Sequence, residues 1–453
     1  MHRLAVLACL AACGRFGFGD DTSSTGDDGG SRGDAADALV PTGPIGPRWI
    51  AKFTNDGSST VVGRNGEVAI LSRFNATFNA DPAIALLAQG YISTAFVRYD
   101  ATGAPLYSTV LDSDGFCDMR AAVLDGDVIY ATGLTQGTQA IPAYGACSIA
   151  TNRQDPVAIR IDSQNNQSVV AHWTAGGGNA QAWYLALMPD HTLTISGIYS
   201  SGLMIGPYMM PTGVTDPSYW IARTTTTTAT DAAWARGFTA SVEIHSGPVA
   251  SDGDDVCVMG AHSGSTNVFG SALSYVGNYD AWVARVDGSG TARFVRAFGS
   301  PGLEASFEDG TLLALPDGGC LAALRSTGDI TLDTGTYPVS QGDGLLVRFA
   351  QDGTVTHARR FSTEPAMTFV GTRLIAAYDQ GGDAHIVEVD LQGGADHELA
   401  VIGGSGTQTP FEVAAIGPDA VAVTVTTNGA LSFGATSFDT GATTMRAVAV
   451  LGI

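Results

Sequence analysis

Asp280-Ala-Trp-Val-Ala-Arg-Val-Asp-Gly-Ser-Gly290 decides the architecture, because it recurs. Its strand half, Trp282-Val-Ala-Arg285, returns as Ala95-Phe-Val-Arg98, Val157-Ala-Ile-Arg160, Trp220-Ile-Ala-Arg223 and Leu345-Leu-Val-Arg348. Weaker copies are His385-Ile-Val-Glu388 and Ala447-Val-Ala-Val450. The last residues of these copies lie 62, 63, 62, 63, 40 and 62 apart, and a constant period marks a repeat fold. Side chains alternate in each copy, as in a strand with two different faces. The turn half also returns, as Asp100-Ala-Thr-Gly103 and Asp352-Gly353, and each turn leads into a second strand such as Arg293–Phe298. Glycine at the end of such a turn supplies the positive φ of a tight hairpin. Third and fourth strands follow, for example Thr311–Leu315 and Cys320–Leu324 around Pro316-Asp-Gly-Gly319.

Four strands in 62 residues is the size of a propeller blade with one long loop. Immunoglobulin-like sandwiches need about 100 residues per unit, and a parallel β-helix has shorter coils and few hairpins. The expected fold is all-β, a seven-bladed β-propeller of four-stranded antiparallel blades. Phase closes it. Arg48–Phe53 matches the second strand of the pattern and Arg446–Leu451 the first, so the chain begins and ends inside one unit. Residues 48–53 then form the outer strand of the last blade, which removes the free seam of an open array. With strands lettered A to D from the axis outward, the tight A–B and C–D turns share one face. The D–A and B–C loops, which hold nearly all the long segments, share the other. The sixth copy lacks its B–C loop: Tyr378-Asp-Gln-Gly-Gly382 replaces it, 22 residues short.

The units resemble bacterial secreted β-propeller repeat proteins whose copies read roughly Asp-Ala-Phe-Val-Ala-Lys-Leu-Asp, a glycine turn and a Trp-bearing strand. Asp280–Gly290 is the nearest match, and the resemblance covers residues 48–453. It implies the fold and carries no catalytic residue set.

Before the repeats, Leu4–Leu10 is an apolar run behind Arg3, and Leu10-Ala11-Ala12-Cys13 resembles the bacterial lipobox. Residues 1–13 are expected to be a lipoprotein signal with Cys13 as the lipidated first residue. Residues 14–47, rich in Asp, Gly and Ser, are expected to be a disordered tether. The implied location is the bacterial outer membrane or cell surface, with membrane association through the lipid alone. The 44 acidic and 22 basic residues give a net charge of -22, which excludes nucleic acid as a natural partner.

Catalysis finds little support in the motifs. Gly29-Gly-Ser-Arg-Gly33 fits the serine-hydrolase elbow only formally, since no strand or helix flanks it. The eight histidines are scattered, and neither a metal site nor a cofactor is expected. Asp112-Ser-Asp-Gly-Phe-Cys-Asp118 is an incomplete calcium loop, read as a solvated acidic loop. Cys117 and Cys147 fall in loops on one face and are expected to form a disulfide in an exported chain, worth ~3 kcal/mol. Cys257 and Cys320 hold the same place in adjacent copies and are read as buried thiols whose side chains cannot face each other. The leading expectation is a monomeric, non-enzymatic binding module whose protein or glycan ligand meets the long-loop face near Tyr378–Gly382. The rival is a hydrolase or lyase acting on extracellular polysaccharide.

Overall fold

A computed structural model of the chain describes residues 47–53, 59–80, 84–140, 145–212, 217–225, 229–305, 310–433, 436–438 and 445–453. The expected signal, Cys13 and the tether up to residue 46 lie outside the described residues. The described chain is all-β: a 3-10 turn at Val339–Gln341 is its only regular element that is not a strand. No helix among the described residues is long and apolar enough to cross a membrane.

Four-stranded antiparallel arrays recur along the chain. The fourth shows the pattern: Glu243–Asp252, Asp255–Ser263, Asp280–Val286 and Ala292–Phe298 pair in that order. The first array opens at Ser59–Arg64, the second at Phe116–Asp125 and the third at Ala180–Leu187. The fifth opens at Leu312–Ala314, the sixth at Ala366–Val370 and the last at Gln408–Gly417. In the last array Ala420–Thr427 and Met445–Gly452 follow, and Pro47–Phe53 supplies the fourth strand by pairing with Met445–Gly452. Each opening strand packs on the opening strand of the next array, and Gln408–Gly417 packs on Ser59–Arg64.

The repeated strand reads as an apolar run because both its faces are buried. In Asp280–Val286, Ala281 and Val283 enter a core shared with the fifth array. Trp282, Ala284 and Val286 enter one shared with the third. Fully buried strands lose the polar alternation of one-sided sheets. On the tight-turn side the turns latch neighbours. Gly290 closes the Asp287 turn with φ +80° and lies against Trp234 of the third array, where a Cβ would come within 2.7 Å of the indole. Trp234 Nε1 donates to Gly288 O at 3.0 Å.

The long B–C segments are more ordered than loops. In five arrays they fold into small hairpins, such as Thr77–Ala80 with Ile84–Leu87 and Thr266–Val268 with Ser271–Leu273. Several hairpins extend a neighbouring array's outer strand: Phe53 pairs with Ala80, and Gly404 with Leu431. The sixth array has none, because Arg373–Gln380 turns through Gly381 and Gly382 directly into Asp383–Glu388.

Candidate functional site

The opening strands enclose a cavity of 420 Å³ to which every array contributes. Its chemistry comes from strand irregularity. In the second array Met119 pairs with Gly133 and Ala121 with Thr132, so Arg120 is an extra residue. Trp183 is extra in the third array and Phe411 in the last, while Gly247–Pro248 takes the place of one residue in the fourth. Such bulges re-aim side chains, and Arg120, Trp183, Pro248 and Phe411 all line the cavity. The bulged backbone needs room on the neighbouring strand. A Cβ at Gly197 would stand 1.9 Å from Gln181 O, so glycine there admits the close approach.

Among the described residues the charged ones lining the cavity are Arg73, Arg120, Arg446 and Glu412. Arg120 Nε donates to Asp118 Oδ2 at 3.1 Å, and its guanidinium lies 4.6 Å from the Trp183 ring centroid. Arg73 Nη1 lies 3.7 Å from the same carboxylate oxygen. Trp183 is held in turn by its Nε1, which donates to Gln181 Oε1 at 2.9 Å. Arg446 stacks 4.0 Å over Phe411 and donates through Nη1 to Ser59 Oγ. Such stacking orients a cation at an aromatic face. Glu412 accepts from Thr60 Oγ1 at 2.9 Å and from Val61 N at 2.7 Å. Part of its surface meets the cavity, but protein surrounds the carboxyl, and this desolvation pushes it up to about 8.

Asp112, Asp114 and Asp118 are not brought together around one point. Asp112, 1% exposed, accepts from the backbone N of Gln89, Gly90 and Ser113 and from Ser93 Oγ. Asp114 caps Thr138, and Asp118, 2% exposed, faces the two arginines. The expected solvated acidic loop is therefore corrected. Two of its three carboxylates are buried because each organises local donors. Among the described residues no group of three or more His, Cys, Asp or Glu could hold a metal ion.

Cys117 and Cys147 are bonded, with Cα atoms 5.9 Å apart. Cys117 lies in the opening strand Phe116–Asp125 and not in the loop before it. Cys257 and Cys320 are bonded as well, with Cα atoms 6.0 Å apart. This overturns the reading of two buried thiols. Strand register is the reason. Cys257 pairs with Arg285, whereas Cys320 pairs with Phe349 and not with the equivalent Arg348. The turn before Cys257 spans Asp252 to Asp255, while Ala314 pairs with Cys320 across a longer turn. A one-residue slip moves a side chain to the opposite face, so the two sulfurs meet in the core between the fourth and fifth arrays.

None of the described histidines lines the cavity. Sequence reasoning missed Arg73, Arg120, Trp183, Glu412 and Arg446. The available signal was Gly133, Gly197 and Gly260, which stand opposite the bulges of three successive arrays. The gap at Tyr378–Gly382 is a closed hairpin end, with Tyr378 packed against Phe361 and His385.

No family model matches the chain, and no curated protein does. Among solved structures, the polysaccharide lyase Uly1 aligns over 87% of this chain and 90% of its own, at 8% identity and a TM-score of 0.46. The dihydro-heme d1 dehydrogenase NirN aligns over 92% and 77%, at 10% identity and 0.40. The Trypanosoma rangeli sialidase aligns over 78% and 57%, at 9% identity and 0.35. These likenesses are too loose to carry any property to this chain.

Proposed function

We propose that the chain is a seven-bladed β-propeller, closed by Pro47–Phe53 and anchored through a lipid on Cys13, that serves as a non-enzymatic binding module. Its working site is the cavity among the opening strands. The observation that carries this reading is the lining itself, which draws on every array and is built by bulges placed at equivalent positions. The cyclic packing of opening strands supports the ring, and the lipobox residues support the anchor. Concave sites with a few convergent polar groups are the usual form of a ligand pocket.

A second reading, a hydrolase or lyase acting on extracellular polysaccharide, is favoured by one observation. Burial pushes the Glu412 carboxyl on the cavity wall up to about 8, and a raised carboxyl suits a proton donor. Against it, glycoside hydrolysis ordinarily uses a pair of carboxyl groups, and Glu412 is the only one lining the cavity among the described residues.

The test incubates the mature protein with a panel of extracellular polysaccharides and follows both retention and chain cleavage. Retention without new reducing or unsaturated ends is expected, with loss of retention in Thr311→Trp, which plugs the cavity. Cleavage abolished by Glu412→Gln would establish the second reading instead. Mass spectrometry of membrane-extracted protein is expected to find Cys13 acylated as the first residue. An unmodified start elsewhere removes the anchor.

A further inference from the structure

We infer that the cavity recognises a ligand carrying an oxyanion, a carboxylate or sulfate on a body the size of one or two sugar rings, held by Arg73, Arg120 and Arg446. The inference rests on reading the cavity as the working site. Charge is the first argument. The chain carries two acidic residues for each basic one, 44 against 22, whereas among the described residues the cavity lining reverses the balance with three arginines and one carboxyl. Asp118 stands behind Arg73 and Arg120 and offsets one of their two charges. Arg446, stacked on Phe411, adds a third guanidinium to the wall. The lining is therefore a cationic spot inside an acidic molecule.

Donor capacity is the second argument. A guanidinium has five N–H donors. Arg120 commits its Nε to Asp118 and its face to Trp183. Among the described residues its two Nη groups have no protein acceptor. A fork of this kind matches two oxygens of a carboxylate or sulfate at once. Preorganisation is the third. Arg120 is fixed by a buried carboxylate and an indole, and Arg446 by Phe411 and Ser59. Little side-chain freedom is left to lose on binding, which favours affinity. Trp183, Tyr184, Phe411 and Met367 add apolar surface for the ligand's body, and the 420 Å³ volume sets its size.

The experiment is calorimetric titration of the mature chain with three oligosaccharides of equal length: oligogalacturonate, a sulfated dextran fragment and a neutral maltooligosaccharide. It is repeated on Arg120→Met and on two plugged variants, Thr311→Trp and Ala121→Phe, each checked for native circular dichroism. At least one anionic probe is expected to bind about tenfold tighter than the neutral one, with that preference lost in Arg120→Met. Which anion wins distinguishes carboxylate from sulfate. Equal binding of neutral and anionic probes, no binding of either anion, or anion binding unchanged in Arg120→Met overturns the inference. If neutral binding is then still blocked by the plugs, the cavity reading stands without it. Anion binding untouched by both plugs overturns the cavity reading itself.

Discussion

Glu412 takes up a proton on folding that it would release in the unfolded chain. Desolvation pushes its carboxyl up to about 8, against the lowering influences of the Thr60 hydroxyl, the Val61 N–H and Arg446. Between the ordinary carboxyl value of 4.5 and about 8, the unfolded state holds fewer protons than the native state. The stability tied to this group is thus complete below 4.5, falls as pH rises and is lost above about 8. The slope is at most about 1.4 kcal/mol per pH unit, and water in the cavity lowers it. Glu412→Gln mimics the protonated form. Its melting temperature is expected to match wild type near pH ~4 and to exceed it increasingly toward pH ~8. A difference that does not change with pH contradicts this. Gly197 offers a second test at the same scale. A Cβ there meets Gln181 O at 1.9 Å, so Gly197→Ala is expected to lose about 1–3 kcal/mol in denaturant titrations and to alter Trp183 fluorescence. Residues at this scale were the least legible in the sequence. A bulge shifts the phase of an alternating pattern, but these opening strands are buried on both faces and carry little alternation to shift, so Arg120 and Trp183 went unread and only the glycines opposite them betray the insertion.

Elements were legible as strands and turns, but their registers were not. The recurrence of Arg at the end of the repeated strand located Ser93–Tyr99, Ser218–Thr224 and Gly344–Phe349. The Asp turns are real turns: Asp287 Oδ1 accepts from the N of Ser289 and Thr291. What the spacing hid was the slip between Cys257 and Cys320. Both stand 28 residues before their Arg, so identical spacing concealed opposite faces. The long loops were misjudged for a related reason. Phe78, Val268 and Ile330 read as loop residues yet are buried, because the hairpins that carry them pack against neighbouring strands. These elements make a prediction about cross-links. By loop entropy, a bridge across 63 residues stabilises by about 4 kcal/mol and one across 30 by about 3.5. Unfolding Cys257→Ala/Cys320→Ala and Cys117→Ala/Cys147→Ala in urea is expected to show both variants weakened, the first slightly more. Non-reducing peptide mapping of the wild type should recover both pairs, and a free thiol at any of the four positions contradicts the registers described here.

At the scale of the whole molecule the all-β recurrence of four-stranded antiparallel arrays was legible, because a repeat writes its pattern many times and one weak copy does not erase it. The sixth copy, shortened by 22 residues, still forms a four-stranded array. Its missing segment is a hairpin that strand pairing can do without. The two chain ends carry a different kind of information, since neither completes an array alone. Pro47–Phe53 pairs with Met445–Gly452 along its length, Arg48 Nη2 meets Asp419 Oδ2 at 2.8 Å, and Trp49 and Phe53 enter the core between the last and first arrays. Removing one large aromatic side chain from such a core costs about 3–5 kcal/mol, and the strand contributes two along with its ladder of hydrogen bonds. A chain starting at residue 47 keeps the whole of Pro47–Phe53 and is expected to melt with the mature protein. A chain starting at residue 54 is expected to lose a large part of the ~5–15 kcal/mol margin typical of a domain, exposing the edge of Met445–Gly452 and aggregating through it. Adding a synthetic peptide of residues 47–53 should restore part of the lost melting temperature, as a missing strand does when its slot is intact. If the two truncated chains melt alike, the N-terminal strand does not hold the ends of the molecule together, and the closed ring fails with it.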